Sequence, residues 1–206
     1  MTVLYAAVLV ALVASGIRPY DQGTWLMEVA PLFVAFPLML GTRHRFRLTT
    51  LLYVLIALHA VILMVGGHWT YARVPAGFWV QQWLGLGRNP YDKLGHFAQG
   101  FVPAIVAREI LLRLRVVRGS GWLAFVIVCI VLAISASYEL AEWGAALALG
   151  QGADEFLGTQ GDIWDTQSDM FMALIGVTVA LLTLSRIHDR QLAAHAHSPA
   201  VQHPPT

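Results

Sequence analysis

The sequence predicts an all-α membrane protein, a polytopic bundle of six transmembrane helices with both termini in the cytoplasm. Its composition, its apolar windows and the placement of its basic residues predict this fold. Of the 206 residues, 57% are hydrophobic and 12% are charged, whereas soluble domains contain about 25% charged residues. One small soluble core cannot bury so many apolar side chains, so we expect lipid to solvate much of the surface.

Six apolar windows are candidates for membrane spans, because about 20 mostly apolar residues cross the hydrocarbon as a helix. They are residues 2–17, 25–41, 48–66, 94–112, 122–149 and 168–187. The first window has no basic region before it, so we interpret it as a retained span and not as a signal peptide. These windows define a transmembrane domain over residues 1–187. Residues 188–206, rich in Ala, His and Pro, are predicted to form a disordered cytoplasmic tail.

Basic residues indicate which loops face the cytoplasm. They lie at or after the ends of the second, fourth and sixth windows: Arg43, Arg45, Arg47, Arg113, Arg115, Arg118, Arg186 and Arg190. The loop between the fifth and sixth windows has no Lys or Arg and carries several acids instead. The loop after the third window is a mild exception, with Arg73, Arg88 and Lys93. Near residues 75–86, Phe78, Trp79 and Trp83 predict a short interfacial helix on the periplasmic side.

The unusual polar residues fall at the predicted periplasmic ends of the last four windows. Asp92 and His96 are four residues apart and share a helix face. Asp92 could orient the imidazole of a metal ligand, or it could cap the helix. Glu139 and Glu142 lie in an otherwise apolar helix, where one ionised group costs about 3 kcal/mol. We expect a proton, a metal ion or a cationic partner to neutralise this pair, unless the helix end lies in water.

A second acidic pattern precedes and enters the sixth window. Asp162, Asp165 and Asp169 form one stripe if the helix begins near Asp162. The stripe continues through small residues that allow close helix packing, namely Ala173, Gly176 and Ala180. The stripe is therefore predicted to face the bundle. An acid-rich helix start, favoured by the helix dipole, is the alternative interpretation.

These residues suggest a metal site, since His and carboxylate groups ligate Zn, Mn and Fe. The candidate catalytic residues are Asp92, His96, Glu139, Glu142, Asp162, Asp165 and Asp169. The candidate ligands are His96, Glu139, Glu142 and Asp169, with His59 as a further one. Alone, His59 is more typical of a core histidine than of a ligand. Tyr71 and Tyr138 are interpreted as hydrogen-bonded packing residues.

Three segments carry a resemblance to a known family: YDKLGHFAQGF, YELAEW and FLGTQGDIWDTQSDM, which extend from Tyr91 to Met170. Together they resemble the YjdF-like family of bacterial inner-membrane proteins, whose function is not established. More distantly, Asp92, Lys93, His96 and Phe97, with the later acids, resemble the VanZ-like membrane proteins, which are linked to glycopeptide-antibiotic resistance. The resemblance implies an inner-membrane location and the choice of site residues, but no reaction.

Three functions are compatible with these patterns. The first is a metal-dependent membrane hydrolase or transferase with a periplasmic site, acting on a lipid-linked or cell-wall phosphate ester. The second is a non-catalytic envelope protein that binds a lipid, a drug or a protein partner. The third is a proton-coupled transporter, although six spans without a repeat are unusual for one. Membrane lipids are the expected partners, the net charge of +1 gives no indication of nucleic-acid binding, and the oligomeric state is not predicted.

Overall fold

The computed structural model describes residues 2–149 and 160–196, and no strand occurs among them. The prediction of an all-α protein is confirmed, and a short helix is present where residues 75–86 predict one. The helices are α1 (Thr2–Ser15), α2 (Gln22–Glu28), α3 (Ala30–Thr42), α4 (Thr50–Trp69), α5 (Pro75–Leu84), α6 (Tyr91–Arg113), α7 (Ser120–Leu149) and α8 (Asp165–Ala196).

Within residues 2–149 and 160–196, four stretches are long and apolar enough to cross a membrane. They are Gln22–Thr42, which combines α2 and α3, Thr50–Trp69, Ser120–Ala148 and Asp165–His195. Helix α1 is apolar but has only 14 residues. Helix α6 has 23 residues but carries charged residues at both of its ends. Six spans, and the cytoplasmic placement of both termini, therefore remain predictions.

Helix α6 is at the centre of the bundle, where it packs against α4, α7 and α8. Its backbone approaches α8 closely at two glycines. A Cβ on Gly100 would clash with the backbone of Ala173, and one on Gly176 would clash with the backbone of Phe97 and Phe101. Ala173 and Ala180 are fully buried. The predicted small-residue stripe therefore does face the bundle, because only small side chains allow this approach.

The close approach of α6 and α8 leads to a testable prediction. Gly176→Ala is expected to lower the free energy of unfolding by about 1–3 kcal/mol, since the added methyl meets backbone that cannot rotate away. Gly41→Ala is the matched control, because a Cβ there meets nothing within 4 Å. Unfolding of the purified chain in mixed detergent micelles measures both variants. Equal effects of the two substitutions would contradict the close approach of α6 and α8.

A break at Val29 divides the second span into α2 and α3. Pro31 lies in the first turn of α3 and has no N–H to donate to the carbonyl of Met27. The hydroxyl of Tyr138 lies 3.5 Å from that carbonyl. Glu28, the last residue of α2, is buried at this break, so a carboxylate lies in the interior of an apolar span.

Helix α8 continues well beyond the predicted end of the transmembrane domain at residue 187. Residues 188–196, predicted as the start of a disordered tail, are helical. The physical reason is packing: His188 is fully buried, and Gln191 accepts a hydrogen bond from the backbone N–H of Leu51 at 2.9 Å. The rest of the predicted tail, residues 197–206, lies outside the described residues.

Candidate functional site

The loops that precede α6 and α8 are joined to each other. The backbone N–H of Asn89 donates to Oε1 of Gln160 at 3.0 Å, and Nε2 of Gln160 donates to the carbonyl of Asn89 at 3.1 Å. The side chain of Asn89 donates to the carbonyl of Val74, just before α5, at 3.0 Å. The buried asparagine thus fixes the N-terminal ends of α5, α6 and α8 beside one another.

Arg88, in the loop before α6, forms ion pairs with aspartates of α6, of α8 and of the turn before α8. It contacts Asp165 through Nη2, Asp92 at 3.3 Å and Asp162 at 3.4 Å. Burial opposes the charged guanidinium, but the hydrogen bond and the charge of Asp165 outweigh it and raise the pKa of Arg88 above its usual value. The helix begins at Asp165 and not near Asp162. Asp162 nevertheless reaches the same cation from the preceding turn.

Lys93 is the second cation of the site, and its partners belong to α8. Its Nζ donates to Asp165 at 2.8 Å, to the hydroxyl of Ser168 at 2.6 Å and to Asp169 at 2.7 Å. Arg88 and Lys93 together face four aspartates, so the group has an excess of negative charge. We call these six residues the ion-pair ladder: Arg88, Asp92, Lys93, Asp162, Asp165 and Asp169.

Two aspartates of the ion-pair ladder, Asp92 and Asp169, lie beside the imidazole of His96. Donor atoms of Asp92, His96 and Asp169 all lie within 4.8 Å of one another, and all three residues are buried. Nε2 of His96 is 3.4 Å from Asp92 and 3.8 Å from Asp169. Its Nδ1 lies 3.2 Å from Oε1 of Gln99 and 3.8 Å from Oε1 of Glu139. The Nε2 edge of the ring therefore lies beside the two aspartates, and the Nδ1 edge lies beside an amide and a glutamate.

A cavity of about 120 Å³ adjoins this triad. Its polar wall includes Glu28, His59, Tyr71, Tyr138 and Glu142, beside Asp92, His96 and Gln99. The hydroxyl of Tyr138 donates to Oε2 of Glu28 at 3.1 Å. Nε2 of His59 is buried and has no hydrogen-bond partner within the described part of the chain.

Two glycines leave the space that the ring of Tyr71 occupies in this wall. A Cβ on Gly66 of α4, or on Gly95 of α6, would clash with the ring. Tyr71 itself adopts a positive φ of 43°, directly after the end of α4. Burial, followed by the nearby carboxylate of Glu28, holds the pKa of the Tyr71 phenol well above its usual value. Tyr71 therefore presents a neutral phenol to the cavity.

The structure brings the predicted site residues to one end of the bundle, although in two groups. Asp92, His96 and Asp169 meet directly, with Glu139 beside the imidazole, and Asp162 and Asp165 join through Arg88 and Lys93. Glu142 and His59 line the adjoining cavity. Asp92, predicted to orient the imidazole or to cap the helix, is thus a potential ligand itself.

Sequence analysis missed two residues of the site. Glu28 was overlooked although it is the only acid between Asp21 and Asp92 and lies in an apolar window, a pattern typical of functional groups inside membranes. Arg88 was counted only as a loop charge. Asp92 is only four residues away, but no sequence signal indicates the pairing of Arg88 with Asp162 and Asp165, which are 74 and 77 residues away.

A second buried polar cluster lies at the opposite end of α6, where sequence analysis placed no site. Glu109 and His188 are fully buried, with Oε2 of Glu109 3.0 Å from Nε2 of His188. Glu109 also accepts from the hydroxyl of Thr49 at 2.8 Å and pairs with Arg113 at 2.8 Å. Nδ1 of His188 lies 2.9 Å from Arg108. This cluster connects α4, α6 and α8 at the end that carries the basic loops.

Together, the fold and the site define a helical integral membrane protein with a buried acidic site at one end of its bundle. The family profile described as "Predicted membrane protein (DUF2238)" matches residues 1–190, and the chain belongs to this family. It is 64% identical over 181 residues to the inner membrane protein YjdF of Escherichia coli K12, covering 88% of this chain and 87% of the relative. The predicted location in the inner membrane and the YjdF-like resemblance are confirmed.

These matches do not support the more distant resemblance to VanZ-like proteins. No solved structure matches the chain.

Proposed function

We propose that this inner-membrane protein binds a divalent metal ion between Asp92, His96 and Asp169, and that it is a membrane hydrolase or transferase for a phosphate ester of a lipid or of the cell envelope. The observation that carries the proposal is the convergence of three buried donor atoms within 4.8 Å of one another. His and carboxylate donors suit Zn, Mn and Fe.

The spacing of the donors fits an ion. Two ligands at about 2.1 Å from a tetrahedral centre are about 3.4 Å apart, and Nε2 of His96 lies 3.4 Å from Asp92 and 3.8 Å from Asp169. Ligating histidines usually donate their other N–H to a fixed acceptor. Oε1 of Gln99, 3.2 Å from Nδ1, is in that position.

The carboxylate of Glu139, beside this triad, gives a second observation in favour of a bound ligand. It is 7% exposed, and its Oε1 has no hydrogen-bond partner among residues 2–149 and 160–196. That oxygen lies 3.8 Å from Nδ1 of His96. A buried carboxylate oxygen without a donor costs free energy, so this oxygen, on the Nδ1 side of the imidazole, favours a bound group that donates to it.

The surrounding groups suit phosphate chemistry. A bound ion lowers the pKa of its water and so generates a nucleophile at neutral pH. Arg88 and Lys93 lie on the outer side of the triad, where cations stabilise charge that develops on a phosphate. The cavity on the inner side offers room for the rest of a substrate. The distribution of basic loops favours the periplasmic face for this site.

A non-catalytic role has one specific observation in its favour. Arg88 and Lys93 already neutralise part of the ladder, and such buried ion networks can serve to specify helix packing. Transport is less well supported. Ala104, Ile105, Val177 and Ala180 are buried between this site and the Glu109 cluster, so an apolar layer separates the two polar ends of the described bundle.

Metal analysis of the protein purified in chelator-free detergent tests the proposal. The wild-type chain is expected to retain about one ion per chain, and His96→Ala or Asp169→Asn to weaken metal binding at least tenfold, as is typical for loss of a ligand. His195→Ala is the matched control, since this histidine lies at the opposite end of the bundle, with its Nε2 3.0 Å from the carbonyl of Arg47. Wild-type protein that binds none of Zn, Mn or Fe would refute the metal site.

A further inference from the structure

The cavity beside the triad is larger than a metal ion needs. A water-sized group requires about 10–15 Å³ of such space, and the cavity measures about 120 Å³. It therefore has room for several non-hydrogen atoms. Part of its wall is apolar, formed by Pro31, Leu63, Pro103 and Ile134, which suits a carbon chain better than a hydrated ion.

The polar part of the wall is rich in acceptors. Glu28 comes from α2 and Glu142 from α7, and both carboxylates line the cavity. Tyr138 donates to Glu28. Nε2 of His59 is buried on the same wall and has no partner in the described structure. Two carboxylates and an unpartnered imidazole nitrogen indicate a ligand that is positively charged and rich in hydrogen-bond donors.

A primary ammonium group has these properties, because it carries one positive charge and three N–H donors. The rings of Tyr71 and Tyr138 in the same wall can add cation–π attraction. We propose that the cavity binds the primary ammonium group of a membrane lipid headgroup, with its carbon atoms against the apolar wall.

The position of the cavity favours a lipid as the source of this group. Helix α7 packs against α6 and α8, and the hydrogen bond from Tyr138 to Glu28 connects it to α2. Ile134 of this wall is 40% exposed, so the cavity borders the outer surface of the bundle. Trp79, Trp83 and Trp164 are also exposed at this end, and exposed tryptophans typically lie at the depth of the lipid headgroups.

This inference names the substrate class of the proposed site and rests on that proposed function. Asp92 and His96 belong both to the metal triad and to the cavity wall. An aminophospholipid carries its phosphate two carbon atoms from its ammonium group. A headgroup with its ammonium in the cavity would therefore present its phosphate towards the triad.

Binding of short-chain lipids to the purified full-length chain in detergent tests the inference. Phosphatidylethanolamine is expected to bind at least tenfold more tightly than phosphatidylglycerol, or than phosphatidylethanolamine acetylated on nitrogen, because hydrogen bonds between charged groups are the strong ones. Equal affinities for the three lipids would overturn the ammonium site. Free ethanolamine that binds as tightly as the lipid would overturn the lipid source.

Variants separate this inference from the metal site. Glu28→Gln and Glu142→Gln are expected to lose the preference for ethanolamine lipid while retaining metal. Asp189→Asn, an exposed acid at the opposite end, should keep both properties. If the wild-type chain bound metal but showed no preference for ethanolamine lipid, the ammonium site alone would be refuted. If it preferred ethanolamine lipid but bound no metal, the metal site alone would be refuted. Because the lipid comparison uses the wild-type chain, its result does not depend on how the variants fold.

Discussion

Replacing Glu109 by Ala is expected to destabilise the bundle by about 3–5 kcal/mol, the usual cost of breaking a buried ion pair. The substitution removes the acceptor of Thr49, the partner of His188 and the partner of Arg113 in one step. The fully buried imidazole of His188 is then left without a carboxylate beside it. Unfolding of the purified chain by SDS in mixed micelles measures the loss.

Asp189→Asn provides the matched comparison within the same cluster. Its carboxylate pairs with Arg108 at 2.7 Å, but the side chain is 57% exposed. Exposed ion pairs contribute about 0–1 kcal/mol, so this variant is expected to remain close to the wild type. If Glu109→Ala were no more harmful than Asp189→Asn, the Glu109 cluster would not hold α4, α6 and α8 together.

Lys93→Met is expected to have a comparable effect at the site end of the bundle, also about 3–5 kcal/mol. Its ammonium group lies between Asp165 and Asp169, both buried. Without it, Arg88 alone faces the four aspartates of the ladder, and their mutual repulsion is no longer balanced. The same unfolding assay measures this variant. Arg45→Met, which removes an exposed cation, is the control and should change stability by less than about 0.5 kcal/mol.

A double variant shows whether the unpaired charge is the cause. Lys93→Met with Asp169→Asn removes both charges of one pair, so neither charge is left buried without its partner. The double variant is therefore expected to recover a large part of the stability that Lys93→Met loses. Two independent, additive losses would indicate that the lysine acts mainly through packing.

Glu28 differs from the predicted acids in how far the local sequence indicates its burial. Glu139 and Glu142 attracted attention because two acids three residues apart are rare in an apolar helix. Glu28 is a single acid, and its burial depends on the break at Val29 and on Tyr138 of a distant helix. Likewise, Arg113 was interpreted only as part of a basic cytoplasmic end, and no site was assigned to Arg108 and Glu109. Their partner His188 lies where the sequence predicted the start of a disordered tail.

The sequence by itself determined the helical class, the location in the inner membrane, and the end of the bundle where Asp92, His96 and Asp169 meet. These properties follow from local composition and from the order of the spans along the chain. Only the tertiary structure decided which atoms touch. The close approach at Gly100 and Gly176 sets how α6 and α8 face each other and so brings Asp169 to Asp92 and His96. The packing of α7 places Glu142 on the cavity wall. These contacts depend on the packing of helices that are distant in sequence.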